Sequence, residues 1–118
     1  TVILDACFSG GARNKELVAE KGVKVKPRDT EPDGNMVVFA SSSGDEASGV
    51  FREKQHGYMT YYLLKKIQET KGDLSYGQLA EYISQNVKKE TALKGKIQTP
   101  QVKPSSHVAA AWSAWKFR

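Results

Sequence analysis

The sequence predicts an α/β fold in which a mostly parallel sheet is flanked by helices on both faces, and three features predict it. Val2 to Leu4 and Met36 to Ala40 are continuous apolar runs rather than alternating ones, the pattern of strands covered on both sides. Two later stretches carry apolar residues at helical spacing, and a long polar connection separates the strands. At 118 residues the chain is long enough for one domain with a modest core, and it reads as part of one rather than a complete one.

The first strand runs into Asp5-Ala6-Cys7-Phe8-Ser9-Gly10-Gly11, which sets an acid and the single cysteine before a small-residue loop. Ligands and chemistry collect at the carboxyl ends of parallel strands. Residues 12 to 35 form a basic loop broken by Pro27 and Pro32, with Asp33-Gly34 as a turn and one or two helical turns expected at Lys15 to Glu20. A connection of that length points to function rather than packing. From Gly57 to about Thr70, Met59, Tyr62, Leu63 and Ile67 share one helical face, and Gly72 stops the helix. In the next helix Ser75 and Gln78 make a capping box, Leu74 and Leu79 occupy the staple positions, and Leu79, Tyr82, Ile83 and Val87 form the buried stripe. Gly95 ends it. A weaker strand signal lies at Gln101 and Val102, and the tail beyond Pro100, with Pro104, Trp112 and Trp115, carries no assignable pattern.

The net charge is +5, with lysines spread along the chain. No aromatic interleaves the basic runs and no nucleic-acid motif is present, so the reading is a solvated basic surface with no nucleic-acid partner. One cysteine excludes a disulfide framework within the chain and leaves the redox compartment open. No apolar stretch reaches the roughly 18 residues of a transmembrane helix, so no membrane partner is predicted. The chain opens without methionine inside an apparent central strand, so a sheet neighbour and its covering helices are expected on a segment outside it.

Asp5-Ala6-Cys7-Phe8-Ser9-Gly10 resembles the nucleophile motif of caspase-like cysteine peptidases, closest to the metacaspase and bacterial caspase-like branch, where an acid stands two residues before the cysteine. Four further stretches match in the same order: Phe39-Ala40-Ser41-Ser42, Asp45-Glu46-Ala47-Ser48, His56-Gly57-Tyr58-Met59-Thr60-Tyr61 and Gln98-Thr99-Pro100-Gln101. The resemblance implies a caspase-like (caspase-hemoglobinase) fold, of which residues 1–118 are the C-terminal half of a single catalytic domain. The implied activity is peptide-bond hydrolysis, and the implied partner is a peptide or protein substrate.

A thiol attacks a peptide carbonyl as thiolate, and an imidazole normally stands beside it. In caspases the histidine lies about 50 residues upstream of the cysteine. Only six residues precede Cys7, so the resemblance places the histidine on an N-terminal segment or chain of the same protein. His56 reads as a structural residue at the start of a helix, and His107 has less context still. Without its motif Cys7 would read as a buried structural thiol. With the motif it is the catalytic nucleophile, and its backbone N–H is the implied oxyanion donor.

On an extended strand Asp5 points to the same side as Cys7. In metacaspases the matching acid helps form a pocket for arginine or lysine through charge-assisted hydrogen bonds, which implies cleavage after basic residues. The competing reading is a strand-end acid that caps local backbone. Ser42, Asp45 and Ser48 correspond to the segment lining the substrate groove, and a polar turn after the strand explains them equally. This stretch departs from the metacaspase form, which is richer in Asp, Gln and Thr. If Asp5 selects basic residues, then Arg13, Lys15, Lys21, Lys24, Lys26 and Arg28 are self-processing candidates, set against an ordinary solvated loop. Some metacaspases need calcium, but Asp29, Glu31 and Asp33 lack the ordered spacing of a calcium loop, so no metal or other cofactor is assigned. The alternative function is a catalytically inactive caspase-like interaction module.

Overall fold

The computed structural model of the protein describes residues 1–6, 31–43, 46 and 48–118. Strand β1 (Val2–Leu4) pairs in parallel with β2 (Val37–Ala40), in the register Val2 opposite Val38. On the other side of β2 runs β5 (Gln101–Pro104), antiparallel, with Ala40 opposite Gln101 and Val37 opposite Pro104. A two-stranded hairpin, β3 (Val50–Phe51) and β4 (His56–Gly57), joined by a turn of 3₁₀ helix at Arg52–Lys54, leads directly into helix α1 (Tyr58–Thr70), followed by α2 (Tyr76–Leu93).

The described three-stranded sheet is therefore mixed, where the apolar runs predict a mostly parallel one. The difference comes from β5, whose chain enters at the carboxyl end of β2 and can only run back along it. A second departure concerns β1. Its continuous apolar run predicts burial on both faces, yet Ile3 and Leu4 are 42% and 37% exposed, because among the described residues β1 pairs with β2 alone. On β2, Val37 and Phe39 are buried on one face while Val38 and Ala40 are half-buried on the other.

The helices follow their local signals. Ser75 Oγ accepts the Gln78 N–H and the Gln78 side chain accepts the Ser75 N–H, the reciprocal box that satisfies two of the free donors of the first turn. Leu74, Leu79, Ile83 and Val87 are buried, Thr91 extends their stripe, and Tyr82 lies at its border. In α1, Tyr58, Met59, Tyr62 and Leu63 face the core and Ile67 packs at its edge. Lys71 and Gly72 end α1 with positive φ, and Gly72 donates back to the Ile67 carbonyl. The C-terminal tail, unassigned from sequence, makes short 3₁₀ turns at Ser106–Val108 and Trp112–Ala114 and then docks on α2. Tyr76 N–H donates to the Trp115 carbonyl, Phe117 N–H to that of Leu74, and the Tyr76 and Phe117 rings stack 4.3 Å apart.

Candidate active site

Asp5 and Ala6, the residues that follow β1, are held from two directions. One hold comes from α1. A helix begins with backbone N–H groups that have no intrahelical partner, and Gly57, the N-cap residue of α1, has no side chain to offer them. The Asp5 carboxylate takes its place. It accepts the Thr60 backbone N–H at 3.1 Å and the Thr60 hydroxyl as well. The cap thus comes from 55 residues away in the chain, and the negative charge sits at the positive end of the helix dipole. A Cβ at position 57 would collide with this carboxylate, which is why the helix starts with glycine.

The second hold comes from the loop after β2. Ser48 Oγ donates to the Ala6 carbonyl at 3.0 Å. A serine hydroxyl has one proton, and a carbonyl can only accept. Ser48 Oγ thus has a choice of acceptors, and it shares a further bond with the Ser41 hydroxyl in which either oxygen can donate. Ser42 Oγ stands 3.2 Å from Ser48 Oγ. Ser41 and Ser48 are 1% and 2% exposed, so neither bond competes with water.

The loop is itself fixed to the segment that leads into β5. Gln98 is 2% exposed; its amide donates to the Ser41 carbonyl at 2.8 Å and accepts the Gly49 N–H at 2.8 Å. Glu46 accepts the Thr99 N–H at 2.7 Å, the Thr99 hydroxyl at 3.0 Å and the Ser43 N–H at 3.2 Å. Ser43 Oγ returns a bond to the Thr99 carbonyl at 2.7 Å. No buried polar side-chain atom among the described residues lacks a partner.

Residues from five stretches spread along the chain therefore meet at one end of the sheet: Asp5-Ala6, Ser41-Ser42, Glu46 with Ser48, Gly57 with Thr60, and Gln98-Thr99. Of the site residues predicted from sequence, Asp5 is half-buried on the α1 terminus, Ser42 is half-buried at the end of β2, and Ser48 is buried with its hydroxyl on Ala6. Cys7 and its backbone N–H, the Ser9-Gly10-Gly11 loop and Asp45 lie outside the described residues. So do Asp29, the helical turn expected at Lys15 to Glu20, and the basic positions from Arg13 to Arg28. His56 is exposed in β4 opposite Phe51, and His107 is exposed in the first 3₁₀ turn of the tail. Thr60, Glu46 and Gln98 were not singled out from the sequence, although each stands in a stretch that carries the resemblance.

Among the described residues, no group of three or more His, Cys, Asp or Glu side chains is placed to hold a metal ion. Among them, too, no helix is long and apolar enough to cross a membrane. A family model described as Caspase domain matches residues 1–110, a span that contains all of these contacts. No curated protein and no solved structure gives a significant match.

Proposed function

Because this chain belongs to the caspase domain family of peptidases, we propose that it is a cysteine endopeptidase that cleaves after arginine or lysine with Cys7 as nucleophile. The observation that carries the reading is the position of Asp5. Its carboxylate is fixed at the carboxyl end of β1, two residues before Cys7. That acid also favours the metacaspase and bacterial caspase-like branch within the family. The 118 residues then form the C-terminal portion of a caspase-like catalytic domain, and a segment of the same protein outside them supplies the histidine.

In this mechanism the Cys7 thiolate attacks the scissile carbonyl carbon, and the oxyanion that forms is met by the Cys7 backbone N–H. The carbon–nitrogen bond breaks as the histidine delivers a proton to the leaving amine, which leaves a thioester on Cys7. Water, deprotonated by the same histidine, hydrolyses the thioester and restores the thiol. Asp5 pairs with the cationic side chain that precedes the scissile bond, and the loop carrying Ser42, Asp45 and Ser48 borders the groove. The same specificity makes the basic positions between Arg13 and Arg28 candidates for self-processing.

Arg, Lys and Asp reporter peptides offered to the full-length protein test this reading. Cleavage after Arg or Lys is expected to exceed cleavage after Asp by about 100-fold or more, the discrimination available when the wrong side chain leaves a site's polar group unpaired. Asp5→Asn keeps an oxygen for Thr60 while removing the charge, and should erase most of that preference without unfolding the protein. Preferred cleavage after Asp would overturn the assignment.

A further inference from the structure

Glycine at position 57 is not demanded by its own backbone. Its φ of −61° and ψ of 151° describe an extended conformation open to any residue. What the absent side chain provides is room: a Cβ there would overlap the Asp5 carboxylate, 2.9 Å from Cγ and closer still to Oδ2. Three residues on, Thr60 supplies two donors, its backbone N–H and its hydroxyl, and both converge on that same oxygen. Space at one residue and paired donors at the other make a seat shaped to this carboxylate. Capping alone does not need such a seat. An N-cap side chain ordinarily does that work itself, as Ser75 does for α2. Helix α1 instead gives up its own cap to admit an acid from the end of β1, 55 residues before Thr60.

We infer that Gly57 and Thr60 are specificity-determining positioning residues: they fix the rotamer and plane of the Asp5 carboxylate and so set how well it pairs with a cationic substrate side chain. This rests on the reading of Asp5 given above, and both residues act through Asp5 rather than by touching substrate. The reason is geometric. A guanidinium pairs with a carboxylate through parallel hydrogen bonds, and a carboxylate free to turn has to be ordered at each binding event. Two bonds to one oxygen hold it in a single orientation beforehand. The Thr60 contacts are half-buried, so a carboxylate driven from the seat can turn to water and leave the fold intact.

The test uses the full-length protein and two peptides that differ only in arginine against citrulline, its uncharged isostere. Pairing with Asp5 is made in bound substrate and transition state alike, so its loss raises KM and leaves kcat in place. Thr60→Val keeps the shape and the backbone N–H but removes the hydroxyl, and Gly57→Ala adds the Cβ that displaces the carboxylate. Each is expected to raise KM for the arginyl peptide by about 10-fold or more, the scale of a hydrogen bond to a charged group, while kcat on it and kcat/KM on the citrullyl peptide stay within about twofold. Thr60→Ser, which retains the hydroxyl, should keep the arginine preference. Ser75→Ala weakens the remote cap of α2, so it should lower the melting temperature comparably and leave the preference untouched. If Thr60→Val does not fold, Gly57→Ala carries the test, since the atoms it displaces are the far end of one side chain.

An arginine preference retained in both Thr60→Val and Gly57→Ala, while Asp5→Asn abolishes it, would overturn the inference and leave the reading of Asp5 standing. Equal losses on the two peptides, or a fall in kcat with KM unchanged, would mark a purely structural role and overturn it as well. A preference that survives Asp5→Asn too would overturn both.

Discussion

On the helix side of the molecule, Tyr58, Met59, Leu79, Ile83 and Val87 are at most 2% exposed, and Phe51, Tyr58, Tyr61, Tyr62 and Tyr82 meet ring to ring. At the carboxyl end of β1 and β2 the described residues include the buried polar side chains Ser41, Ser48 and Gln98. Both regions are sealed from water, but by different physics. Apolar burial is non-directional and shared among many neighbours, so it fixes the layer without fixing any one atom. A buried hydrogen bond has a single geometry and is costly to leave half-made. The contrast implies a division of labour: the apolar layer decides whether the chain folds, and the polar seam decides where the two residues before Cys7 stand.

The largest expected effect on stability comes from the apolar side. Leu79→Ala empties a site that is 0% exposed and should cost about 3–4 kcal/mol in urea unfolding, while kcat measured well below the melting temperature stays near wild type. A large fall in kcat would break the proposed division. Gln98→Ala acts on the other side. It leaves the Gly49 N–H and the Ser41 carbonyl buried and unpaired, at a cost of about 2–3 kcal/mol, and should also lower kcat because the Ser48 loop loses its anchor. Ser75→Ala, which breaks a capping box remote from the seam, should cost about 1 kcal/mol and leave kcat unchanged.

The smallest effect sharpens the description of the aromatic layer. Burial, reinforced by the Glu90 carboxylate, pushes the Tyr62 hydroxyl up to about 12. An unfolded tyrosine ionises near pH 10, so between about pH 10 and 12 the folded state keeps a proton that the unfolded state has lost. Stability contributed by Tyr62 is complete below that window and declines as the pH rises through it. Melting temperatures across the window should fall more steeply for the wild type than for Tyr62→Phe; parallel curves would show that Tyr62 does not hold its proton.

What the sequence made legible follows the same contrast. Helix α2 could be read closely, because its capping box and its Leu79, Ile83, Val87 stripe are local patterns that packing did not overrule. The two apolar runs marked β1 and β2; the exposure of β1 among the described residues follows from which neighbours are present, and the sequence places its expected sheet neighbour outside the chain. The β3–β4 hairpin escaped notice because two-residue strands show no period. The tail was opaque for another reason: Trp112, Trp115 and Phe117 take their places from partners on the core rather than from each other.

At the site, the residue types were legible and their bonds were not. Asp5 could be read as a strand-end acid able to cap backbone, but the backbone it caps belongs to Thr60. Ser48 could be placed beside the groove, but its hydroxyl turns inward to Ala6. Gln98 stood in a recognisable stretch without a stated reason. Each of these bonds joins residues at least 42 positions apart, and no pattern of short period can encode that.

The most direct test is to treat the full-length protein with a thiol-reactive inhibitor bearing an arginyl or lysyl recognition residue and to map the adduct by peptide mass spectrometry. One adduct per chain, on Cys7, abolished in Cys7→Ala and weakened in Asp5→Asn, is the predicted result. No adduct, or an adduct only at another residue, would contradict the assignment of Cys7 as the nucleophile of a peptidase selective for basic residues.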